Sequence, residues 1–223
     1  MSNSTILFTI CSLFYSVLLL FVEFRKEKNI NFKNQIFKSL VIANFVGIII
    51  EIIYFFVPTD AKVFKFIFSR CFFIYLLTWI TMLILYVFAI SYNKNDNQLK
   101  SVKRKSIRIS CIILFILSIL VILLPLYDNV EKVYSYGPSA NLVYYASEVY
   151  VIIGLLIMFL NHNKINKNYA PFFIYIAGGA IVMILQSMHP EWLLMTSMET
   201  FITYLIYFNI QSDSNNSKKS EKK

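Results

Sequence analysis

The chain has 223 residues, of which 58% are hydrophobic and only 15% charged. A soluble domain of that size carries about 25% charged residues, so the composition argues against a soluble globular fold and for a membrane one. The formal net charge of +9 would suit nucleic acid. Its Lys and Arg residues, however, sit in short stretches between apolar runs, where they read as topology determinants and contacts for anionic lipid.

Seven apolar runs follow one another, each near the roughly 20 residues that span a bilayer as a helix. The first covers residues 5–24. No basic residue precedes it and Arg25, Lys26 and Lys28 follow it, the reverse of a secretory signal, so it reads as a retained helix. The second, 36–57, stops at Pro58, which cannot continue a helix. The third covers 66–92. The fourth, 107–127, carries Pro125 near its end. Gly137 and Pro138 read as a turn and helix start ahead of the fifth, 140–161. The sixth covers 170–188, with Pro171 in its first turn. The seventh covers 191–211, and the short connection at His189-Pro190 predicts an antiparallel hairpin between the last two.

The expected fold is thus all-α, a polytopic seven-transmembrane helix bundle over residues 1–211. Residues 212–223, rich in Ser, Asn and Lys, are expected to form a disordered basic tail. The connections split by charge. The first, third and fifth, with the tail, hold 17 Lys and Arg, the opposite side only Lys62, Lys65 and Lys132. The positive-inside rule then places the N-terminus outside and the C-terminus in the cytoplasm.

Charged residues within spans are costly and are usually paired or functional. Four occur, Glu51, Arg70, Glu148 and Glu199. At 1.5 Å rise per residue all four fall roughly 8–12 Å below the outer surface, which suggests one polar site shared by four helices. Asn44, Gly47 and Glu51 share a helical stripe, as do Asn141, Tyr144, Tyr145 and Glu148, and Thr196, Glu199, Thr200, Thr203 and Tyr207. The candidate ligand-binding residues are therefore Glu51, Arg70, Glu148, Glu199, Asn44, Tyr144 and Thr196. The competing reading is architectural, with Arg70 paired to one or two glutamates and fixing helix packing. Glu51 is the first choice of partner, because the short stretch 58–65 makes helices two and three neighbours. One arginine against three carboxylates leaves surplus negative charge, answered by protonation of a glutamate or by a small cation or amine.

Other features have plainer readings. Ala177-Gly178-Gly179-Ala180 allows close helix packing or a bend. Trp192, Tyr54, Tyr92 and Tyr127 suit an interfacial aromatic belt. Cys11, Cys71 and Cys111 lie in or beside apolar runs without a CxxC, and neither His162 nor His189 has metal-ligand spacing to them. No metal or cofactor is expected. Walker A, GxSxG and HExxH motifs are absent, so no catalytic activity is expected.

The segments "KSLVIANFVGIIIEII" (38–53), "FIYLLTWITMLILYVFAIS" (73–91) and "YSYGPSANLVYYASEVY" (134–150) resemble the N-terminal multi-pass sensor region of a group of bacterial membrane histidine kinases. So does "HPEWLLMTSMETFITYLIYFNIQ" (189–211), which is similar to that region's last helix, the one leading into the kinase. The resemblance covers nearly all of residues 5–211. It implies a multi-pass protein of the bacterial plasma membrane in signal transduction, sensing an extracellular or intramembrane cue. The phospho-acceptor and nucleotide-binding boxes of the family do not appear before Lys223, so the resemblance implies action through a partner, a histidine kinase or another membrane signalling protein. A small seven-helix transporter is the alternative expectation.

Overall fold

A computed structural model describes residues 4–25, 32–58, 61–91, 97–129, 134–160, 170–188 and 194–220. Among them are seven helices, α1 (Ser4–Arg25), α2 (Phe32–Phe56), α3 (Lys62–Ser91), α4 (Asn97–Leu123), α5 (Pro138–Leu160), α6 (Ala170–Met188) and α7 (Met195–Ser220). The helices form where the seven apolar runs lie. Five of them, α1 to α5, are long and apolar enough to cross a membrane.

The arrangement follows from which faces are apolar and which are small. α3 is hydrophobic around its whole circumference and is buried along most of its length, from Lys65 to Ser91, as a central helix must be. α2, α4 and α5 pack around it, α1 packs on α2 and α7, and α6 packs on α7. The expected neighbours α2 and α3, and α6 and α7, are therefore in contact. Among its described side chains α1 buries Thr9, Ser12, Ser16 and Leu19, at the three- and four-residue spacing of one helix stripe. Many of its other apolar side chains, Phe8, Phe14 and Leu18 among them, are exposed. So are Ile112, Phe115 and Ile119 of α4. Outward apolar faces of that extent suit a lipid surround.

One element was not expected. β1 (Tyr127–Asn129) and β2 (Tyr134–Tyr136) form an antiparallel hairpin with Tyr127 opposite Tyr136, their rings 5.7 Å apart. The predicted turn at Gly137 and the helix start at Pro138 are both present, with Gly137 at φ +122°. That backbone favours glycine, and the Tyr127 ring and Pro125 carbonyl crowd the space a side chain would take.

α7 continues without a break from the apolar run through residue 212, where the tail was expected to begin, to Ser220. Neither glycine nor proline occurs between Gln211 and Ser220 to stop it. The expected features at Tyr92, Asn161, His162, His189, Glu191 and Trp192 lie outside the described residues.

Candidate functional site

Small polar residues on α1, α2 and α7 meet in a buried band. Asn44 of α2 is fully buried. Its amide donates to Thr200 of α7 at 3.1 Å and to Ser16 of α1 at 3.5 Å. Thr200 in turn donates to the Thr196 carbonyl one turn back. Ser12 of α1 donates to Ser197 of α7 at 2.9 Å. In an apolar surround such bonds are the specific glue between helices.

Two turns along α2 from Asn44, toward its Phe56 end, lies Glu51, 2% exposed. Thr196 donates to its Oε2 at 2.5 Å. α7 begins at Met195, one residue before Thr196, so the positive end of its dipole lies beside the carboxyl and favours it. Thr9 of α1 faces the same carboxyl from the other side. Its hydroxyl makes no hydrogen bond of normal geometry with any described residue, and neither does Glu51 Oε1.

Glu199 of α7, 4% exposed, accepts a hydrogen bond from the Tyr75 hydroxyl of α3. Tyr75 reaches it by crossing the backbone of α2 at Gly47, where its ring occupies the space that any side chain would need. Glu199 lies within the field of Glu51. Tyr175 of α6 in turn lies within the field of Glu199. The structure therefore brings together Glu51, Glu199, Asn44 and Thr196 of the predicted set.

Arg70, Glu148 and Tyr144 stand elsewhere. The expected Glu51–Arg70 ion pair is not formed. The Arg70 guanidinium donates to the carbonyls of Val121 and Leu124 at the end of α4 and lies 4.2 Å over the Phe66 ring. The last carbonyls of a helix lack intrahelical donors, and a cation there also complements the dipole. Equal depth on separate helices did not imply a common face. Around Arg70 a second polar joint ties four elements: Ser139 of α5 also donates to the Val121 carbonyl of α4, and Ser135 of β2 donates to Ser69 of α3. Tyr54, expected in an interfacial belt, is instead buried, with its hydroxyl 3.4 Å from that of Ser135.

The α5 stripe faces outward. Asn141 and Glu148 are exposed, as are Tyr144 and Tyr145 at 39% and 64%, because α5 turns Ala140, Val143, Tyr150 and Met158 inward. Glu148 nevertheless lines a cavity of about 350 Å³ between α5, α6 and the start of α7, with Ser147, Tyr175, Gly179 and Met195. Tyr175 thus stands between this largely apolar cavity and Glu199. Gly178 of the small-residue motif lies against Met198 of α7, as the packing reading expects.

Sequence reasoning missed Tyr75, Tyr175 and Thr9. The α1 stripe Thr9, Ser12, Ser16 carried a readable signal, small polar residues three and four apart in an apolar helix. The two tyrosines carried none that separates them from the other thirteen in the chain.

Among the described residues no group of three His, Cys, Asp or Glu side chains forms a metal cluster. The three cysteines are free thiols, Cys71 half-buried and Cys11 and Cys111 exposed. Comparison with family models, curated proteins and solved structures gives no match for this chain.

Proposed function

We propose that this chain is a membrane-embedded sensor or receptor-like module of a signalling system, in which α7 reports the state of the buried Glu51–Glu199 site. One observation carries the reading. The helix that supplies Thr196, Glu199 and Thr200 to the site is the same helix that runs unbroken to Ser220. A change at its first two turns has one continuous helix along which to reach its far end. The segment resemblance to histidine-kinase sensor regions supports the same reading, and a kinase is the partner it implies.

The proposed topology is seven spans with the N-terminus outside and α7 leaving on the cytoplasmic side. The asymmetry of 17 basic residues against three supports it, with α6 and α7 added to the five long apolar helices. A small transporter is the second reading, favoured by the carboxyl pair alone. Transporters of that kind hold such sites on unwound helices, whereas α2, α3 and α7 are continuous through Glu51, Tyr75 and Glu199.

A histidine-kinase core fused in helical register behind Gln211 tests the sensor reading. Thr196→Val and Glu199→Gln should each shift its phosphorylation at least about threefold, while Phe208→Ala, at a position exposed on α7, should leave it unchanged. Equal phosphorylation in all four proteins, each inserted and folded, would sink it.

A further inference from the structure

We propose that Glu51, Thr9, Thr196 and Glu199 form a binding site for one monovalent metal cation of the sodium class. This rests on the sensor reading, because it names what the α7 site would take.

The argument starts from two oxygens. Glu51 Oε1 and Thr9 Oγ1 are both buried, on residues 2% exposed, and neither has a hydrogen-bond partner among the described residues. In an apolar interior an unsatisfied polar atom is expensive. The two come from different helices and face one another, so one ion coordinated by both would satisfy the pair.

Charge points the same way. Glu199 adds a second carboxyl within the field of the first. Among the described residues the other groups facing the pair are Thr196, Tyr75 and Tyr175, none of them basic, and Arg70 is directed to the end of α4. A cation would satisfy the lone pairs and offset one carboxylate charge, with Glu199 keeping the Tyr75 hydroxyl as its donor. The donors are oxygens throughout, carboxylate and hydroxyl, which selects hard cations over transition metals. Calcium takes six to eight oxygens and magnesium demands a near-octahedral shell. The few side-chain oxygens here suit a singly charged ion better.

The site is within reach of the membrane surface. Glu51 lies five residues from the end of α2 and Thr196 one residue past the start of α7, about one turn and a half of helix at most.

The test uses the full chain in detergent micelles, with sodium chloride exchanged for N-methylglucamine chloride at constant ionic strength and pH. The thermal midpoint should rise with sodium and saturate. Glu51→Gln should abolish the sodium dependence, and Thr9→Val should raise the half-saturating concentration at least about fivefold. Radioactive sodium should bind the unmodified chain and be displaced by excess unlabelled ion, which decides the matter even if a variant fails to fold. A midpoint indifferent to sodium, one that responds only to calcium or magnesium, or one that follows pH alone would overturn the proposal. Sodium binding that leaves kinase output of the fusion unchanged would keep this site and sink the sensor reading. An output altered by Glu199→Gln without sodium binding would do the reverse.

Discussion

Gly47 shows how much of the site depends on one missing side chain. Tyr75 reaches Glu199 only because its ring passes through the volume that a Cβ at position 47 would fill. Gly47→Ala must therefore displace either the ring or α2. Overpacking of this kind typically costs about 1–3 kcal/mol. The collision belongs to the pair, so Tyr75→Leu in the Gly47→Ala background should cost less than the sum of the single changes, by about 0.5–3 kcal/mol. Unfolding of the four proteins in micelles measures this directly, and strict additivity would mean that the ring does not cross there. Gly47 was legible as a member of the Asn44–Glu51 stripe, but its reason was not. A stripe shows which face points inward, not what large residue on another helix needs the gap.

At the level of elements, depth along a helix and position around it have to be read separately. Glu51 and Glu199 do meet, because α2 and α7 pack together and both stripes face that contact. Arg70 and Glu148 do not join them, because rise along a helix fixes height and says nothing of azimuth. Arg70 serves α4 instead. Arg70→Ala should remove two charge-assisted hydrogen bonds to carbonyls, each worth about 1.5–3 kcal/mol. Glu51→Ala should then add its own cost within about 0.5 kcal/mol, since the two share no partner among the described contacts. Recovery in the double variant, the signature of an ion pair, would contradict the structure. Hydrogen exchange should also accelerate in the last turn of α4 and hardly elsewhere. The helix boundaries themselves were legible, to within a few residues, wherever Pro58, Pro125 and Pro138 punctuate the runs. The hairpin of β1 and β2 was not, because three-residue strands leave no periodicity to count.

For the whole molecule, composition was sufficient to predict a helical membrane protein, and outward apolar faces on α1 and α4 agree. The order of helices around α3 was not legible, since an all-apolar sequence gives every face the same affinity for its neighbours. Orientation rests on the basic residues. Reporter fusions placed within residues 128–139, in the hairpin, and after Gln211 should report opposite sides of the membrane. The same side for both would rule out seven spans.

The band that joins α1 to α7 also bears on how the chain is made. Ser12 and Asn44 leave the ribosome well over a hundred residues before Ser197 and Thr200, their partners on α7. Until α7 is inserted, Ser12 has the Phe8 carbonyl of its own helix and the Asn44 amide has Ser16, and the rest of that amide faces a lipid surround that cannot solvate it. The early helices must then wait beside the insertion machinery, or pair with one another in a provisional way, and the final helix acts as the keystone. The polar contacts of the band are therefore complete only once the last helix is in place.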